Sequence, residues 1–147
     1  GRYEVLRELS LGSIAASGID PEHEALRPDA FLIDHSAKTV TPIEFSVPDD
    51  ARLATVLAAK HAQYSEILRR AVPCLPAAAA FRPLVVVVLG AWGTVHPSTI
   101  SALVRLGIPP DAVTAVLRKA VKILARHAMI ISRCRFAAAR RGMPTDT

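Results

Sequence analysis

Aromatic side chains are scarce in this sequence, at 5% of residues with a single tryptophan, so any core must be built mostly from Ala, Val, Leu and Ile. Cysteine is scarcer still. Cys74 and Cys134 lie far apart with no CxxC or CxxH context, which argues against a structural zinc site and leaves free buried thiols as the expectation. The apolar run from Leu84 to Gly90 is too short to span a bilayer, and the later apolar segments carry Arg and Lys, so no membrane segment is expected. No signal-peptide pattern opens the chain. P-loop, GxGxxG, GxSxG and HExxH patterns are also missing, which removes the nucleotide-binding, serine-hydrolase and zincin classes that depend on them. His23, His35, His61, His96 and His127 show no metal-ligand spacing and read as surface or structural residues.

What is present is apolar and basic. Hydrophobic residues make up 51% of the 147, enough to bury one core in a single domain spanning 1–147. The net charge of +5 favours a polyanionic partner, nucleic acid above all. The chain opens on Gly1-Arg2 without a Met, which gives the expectation of a fragment of something larger.

The order of elements expected from pattern is helix, strand, strand, helix, strand, helix, helix. Tyr3–Leu11 has the apolar spacing of a short helix, and Gly12–Glu24 reads as a loop or broken helix. Ala30–Asp34 and Val40–Val47 read as strands joined by the turn His35–Lys38. Pro48-Asp49-Asp50 stops the second strand, and an Asp there suits a helix cap. A helix follows from Asp50 to Ala71, ended by Pro73 and Pro76. Leu84–Leu89 is a continuous β-branched run, expected as a central strand buried on both faces. Trp92, between Gly90 and Gly93, reads as a packing residue. Pro97–Leu106 reads as a helix stopped by Gly107, and Asp111 to about Arg141 as a long final helix ended by Gly142-Met143-Pro144. The fold class is α/β, a mixed sheet flanked by helices.

The hairpin carries the first chemical signal. Folded symmetrically about Ser36–Ala37, it sets Asp34 opposite Thr39, Ile33 opposite Val40 and Asp29 opposite Glu44. Opposed residues in an antiparallel pair have Cβ atoms ~5 Å apart. Two carboxylates that close repel unless a cation or proton lies between them, and oxygen ligands suit Mg²⁺. The competing arrangement is a surface strand with Asp29 and Glu44 both solvated, since Ile43, Phe45 and Val47 take the other face.

The second signal is a lysine among apolar residues. At ~100° per residue, Leu53, Leu57, Tyr64, Ile67, Leu68 and Ala71 form one stripe of the helix after Asp50, and Lys60 lies in its middle. An inward ammonium needs a partner, and the carboxylates on the preceding strands are the natural one. The alternative is a stem that packs while its head reaches water.

Together these residues resemble a known family. Pro28-Asp29, fourteen residues, then Glu44 is similar to the PD-(D/E)xK nuclease signature, although Ser46 stands where the usual Lys follows the Glu. Arg27-Pro28-Asp29, Glu44, Val47-Pro48, and Lys60 with Tyr64 on the next helix look like one branch of it. That branch is the restriction-like endonuclease domain of site-specific non-LTR retrotransposons, in which the active-site Lys is displaced onto the helix. The resemblance covers roughly Leu26 to Arg135 and includes the run VVVVLGAWGTV.

The resemblance implies a restriction-endonuclease-like core and a metal-dependent endonuclease that nicks target DNA in the nucleus. It implies Mg²⁺ or Mn²⁺ held by Asp29 and Glu44, Lys60 assisting the nucleophilic water, and Tyr64 supporting the site or the phosphate. An acid from the first helix, Glu4 or Glu8, joins such sites in some nucleases, though both also read as solvated. Arg27 would reach the scissile phosphate. Arg118, Lys122 and Arg126 on the basic final helix would contact DNA, or would simply form a solvated face. The remaining partners implied are a reverse-transcriptase polyprotein and, by analogy with junction-resolving enzymes, a second copy as a homodimer. Two other readings stand beside the nuclease: a degenerate fold that binds nucleic acid without cutting, which the absent Lys at position 46 favours, and an assembly domain.

Overall fold

The computed structural model describes residues 1–75, 78 and 80–141, the side chains of 128 and 131–141 excepted. The fold is mixed α/β, a five-stranded mixed sheet with helices on its faces and a separate two-stranded sheet. Strands β1 (Tyr3–Arg7), β3 (Ala30–Asp34) and β4 (Thr39–Ser46) form an antiparallel run. Two short strands, β6 (Ala80–Phe81) and β7 (Val85–Val88), pair in parallel with successive parts of β4. Helix α2 (Leu53–Arg70) lies in the connection from β4 to these parallel strands. β2 (Ala15–Ser17) and β5 (Val72–Pro73) make the small sheet, with α1 (Leu11–Ile14) leading into it. Helices α3 (Pro97–Arg105) and α4 (Pro110–Arg141) complete the chain.

The first element departs from expectation. Tyr3–Arg7 is a strand rather than the start of a helix, paired with β3 from Tyr3↔Asp34 to Arg7↔Ala30. Tyr3 and Val5 favour strand locally, and the ladder satisfies the backbone of β3, a long-range gain that a helix of this length cannot match. Leu6 turns inward onto the core while Tyr3 and Val5 stay about half exposed.

Proline explains why β6 and β7 are two strands. Arg82 N donates to Val40 O and Leu89 N to Ser46 O, so the even-numbered residues of β4 aim their backbone at this edge. Pro42 has no N–H to offer there. Pairing accordingly breaks at Thr41 and Pro42, between Val40↔Phe81 and Ile43↔Val85.

β7 is buried along its whole length, as its run of valines predicts, but among the described residues it pairs with β4 alone and so is marginal rather than central. Its outer edge is covered by α3. Thr99, fully buried, donates through its hydroxyl to Val88 O (2.6 Å) and accepts from Val88 N (3.2 Å).

Two apolar clusters sandwich the sheet. Phe31, Ile33, Val40, Val86 and Val88 pack with Leu53, Tyr64, Ile67 and Leu68 of α2 on one face. Val85 and Val87 pack with Ala102 and Leu103 of α3 and Val113 of α4 on the other. The expected end of the last helix at Gly142-Met143-Pro144 lies outside the described residues, as do Pro76 and the Cys134 side chain. Cys74 is exposed rather than buried. No single helix among the described residues is long and apolar enough to cross a membrane, although α3 and the first part of α4, bent by 118°, pass that test as a pair.

Candidate active site

The hairpin follows the symmetric register from Asp34↔Thr39 to Ala30↔Ile43. Asp29 lies one residue beyond the ladder's end. Its Oδ2 accepts from Phe45 N at 2.6 Å, so it takes an amide that a longer strand would have paired. That hydrogen bond seats the Asp29 carboxylate beside the Glu44–Phe45 peptide.

Glu44 faces α2 and is 4% exposed. The alternation of β4 suggests the reverse, since Phe45 and Val47 are the apolar residues, yet these are 53% and 50% exposed. A carboxylate in that position is costly unless hydrogen-bonded and paired. Helix α2 supplies both partners. Tyr64 Oη donates to Glu44 Oε1 at 2.7 Å, and Lys60 Nζ donates to Glu44 Oε2 at 3.2 Å. Residues four apart lie on one helix face, so Lys60 and Tyr64 each hold one carboxylate oxygen.

The helix stripe delivers this arrangement. Leu53, Tyr64, Ile67 and Leu68 are buried within it, and Asp49 caps the turn that precedes α2 by accepting from Ala51 N at 3.0 Å. The Lys60 side chain is 31% exposed and that of Glu44 6%, so the lysine links the buried carboxylate to the protein surface. Tyr64 is 2% exposed. Burial, then the hydrogen bond and charge of Glu44, and last the charge of Asp29 push its phenol well above the ordinary tyrosine value. Tyr64 is therefore a fixed donor to Glu44, and Asp29 lies within electrostatic reach of the pair.

No known protein family, curated protein or solved structure matches the chain.

The donor set suits a hard divalent cation. Each Glu44 oxygen accepts one hydrogen bond and retains a further lone pair, and Asp29 Oδ1 has no hydrogen-bond partner among the described residues. One or two carboxylates with several waters is the usual protein contribution to Mg²⁺.

The other sequence candidates fall elsewhere. The helix expected to supply an acid begins instead as strand β1, with Glu4 inside it and Glu8 just after it. Glu4 pairs with His35 at 3.1 Å, at the hairpin end of the sheet away from Asp29. Glu8, exposed with φ 58°, follows Arg7↔Ala30 and so lies at the Asp29 end. Arg27 is exposed beside Asp29. Arg118, Lys122 and Arg126 are exposed on α4, which packs against the sheet's opposite face from α2, so they are not gathered around Glu44. Asp20, Glu22 and His23 bring ligand atoms within 4.8 Å of one another, a grouping their spacing did not suggest, but Asp20 also pairs with Arg70 at 3.4 Å and both acids are exposed.

Sequence reasoning missed Asp50. Its Oδ1 accepts from Trp92 N at 3.1 Å and its Oδ2 from the Thr94 hydroxyl, which depresses its pKa. Trp92 is 84% exposed, the reverse of a packing residue. Asp50 looked like one of two interchangeable helix caps, and no local pattern ties it to a loop forty-two positions away.

Proposed function

We propose that this chain is a restriction-like, metal-dependent DNA endonuclease domain that nicks target DNA as part of a retrotransposon polyprotein with reverse transcriptase. The observation that carries the reading is Glu44: a buried carboxylate whose oxygens are held by Lys60 and Tyr64, beside the Asp29 carboxylate. A structural role alone is better served by apolar side chains of similar volume.

Asp29 and Glu44 would hold Mg²⁺ or Mn²⁺, which supplies a more acidic water and relief of charge on a phosphate oxygen. The chain's own residues do the rest. Tyr64 stays protonated and fixes the Glu44 carboxylate, and so acts as a positioning residue. Lys60, partly exposed, can orient the attacking water or meet charge developing on the phosphate. The helix position of Lys60 takes the place of the lysine that Ser46 lacks. Arg27 stands next to Asp29 for a phosphate contact.

A second reading, a fold that binds nucleic acid without cutting, is favoured by one observation: the hydrogen bond from Phe45 N gives one oxygen of the Asp29 carboxylate a structural use. Supercoiled plasmid with Mg²⁺ or Mn²⁺ separates the two. The nuclease nicks it, EDTA stops it, and Asp29→Ala or Lys60→Ala lowers the rate by about a hundredfold or more. Binding without nicking in either metal sinks the nuclease and leaves the binding module.

A further inference from the structure

The turn from Gly90 to Val95 is held from every side, yet its largest side chain touches little. Gly90 N donates to Thr94 O (2.7 Å), Gly93 N to Gly90 O (2.8 Å) and Ala91 N to Pro48 O (2.9 Å). Asp50 binds the Trp92 amide and the Thr94 hydroxyl. The glycines are required: a Cβ at Gly90 would overlap the Asp50 carboxylate, and Gly93 has φ 94° and would place a Cβ 3.0 Å from Val121 of α4. A rigid turn thus presents an indole that is 84% exposed.

The turn abuts α4, which carries basic side chains there. Gly93 abuts Val121, and Val95 shares a shallow cleft with Leu117, Arg118, Val121 and Lys122. Asp50 brings a negative charge to the turn, with both of its carboxylate oxygens accepting hydrogen bonds from it. The turn also stands at the site's end of the sheet. Pro48, which anchors Ala91, is four residues beyond Glu44, at most about 14 Å of chain and so about four base steps.

We infer that Trp92 is a stacking platform for an unpaired nucleobase, with Arg118 and Lys122 contacting the adjoining phosphates. The inference rests on the nucleic-acid reading of the site and not on cleavage. It makes the preferred ligand single-stranded or locally opened DNA. A flat, rigid aromatic offers its face to any base, and a duplex with all bases stacked has none to offer. By fixing the turn, Asp50 removes the backbone part of the ordering cost on binding.

Trp92 is the chain's sole tryptophan, so its fluorescence reports the contact directly. Titrations in EDTA keep cleavage out of the readout. Oligo(dT) is expected to quench the emission strongly, and a duplex of equal length or heparin only weakly; oligo(U) tests whether RNA serves as a source of the base. Trp92→Ala should weaken oligo(dT) binding about five- to a hundredfold, measured by anisotropy of a labelled strand, with Tm unchanged. Trp92→Phe should retain most of the affinity. Equal quenching by duplex or heparin, or unchanged oligo(dT) affinity in Trp92→Ala, overturns the inference while leaving the nuclease reading to its nicking assay. Failure to bind any nucleic acid overturns both.

Discussion

On the face of β4 that α2 covers, Glu44 is almost fully buried beside Tyr64 and its register partner Val86; on the other face of the same strand, Phe45 and Val47 stand half exposed. A strand serving only the core would place these residues the other way round. The inversion shows where polar pairing across elements overrides apolar packing. Glu44 is accommodated because α2 brings a phenol and an ammonium to it, and an apolar residue there would need neither. Local disagreement between burial and residue type is expected at functional sites.

The comparison breaks most sharply through Lys60. Lys60→Met leaves Glu44 buried with one partner and should destabilise the fold by about 2 kcal/mol, less than a fully buried pair because the ammonium is partly solvated. Replacing the whole constellation, Glu44→Leu with Lys60→Met and Tyr64→Phe, should restore or raise stability while abolishing nicking. Urea unfolding of both variants checks this, and a triple variant less stable than Lys60→Met would make the polar cluster structural.

Tyr64 gives a smaller, pH-resolved effect. The unfolded chain releases a tyrosine proton near pH ~10, whereas the folded chain holds that of Tyr64 to higher pH. Its contribution is therefore fully present below about pH 10 and declines as pH rises beyond it. Tyr64→Phe should flatten that alkaline decline in unfolding curves taken from about pH 8 to 11. The smallest effect is expected on the opposite face, where Phe45→Ser and Val47→Ser should each change stability by no more than about 0.5 kcal/mol. A larger loss by the same unfolding assay would show that this face is covered.

Much of this region was legible in the sequence. The stripe on α2 is long, so its period singles out Lys60, and the short turn at His35–Lys38 fixes the hairpin register that brings Asp29 alongside Glu44. What was not legible depends on distant partners. β1 is a strand because β3 pairs with it, and the local strand preference of Tyr3 and Val5 does not name that partner. Trp92 is exposed because Asp50 holds the turn from across the sequence. The burial of Glu44 contradicts the alternation of its own strand and follows from α2. The split between β6 and β7 did have a visible sign, Pro42 within a strand.

In the proposed site, Asp29 and Glu44 together hold a divalent cation. Calorimetric titration of the metal-stripped chain with Mn²⁺, beside Asp29→Asn, tests it most directly. A saturable site is expected in the wild type, weakened at least about tenfold in the variant. No binding, or the same affinity in both, would contradict it.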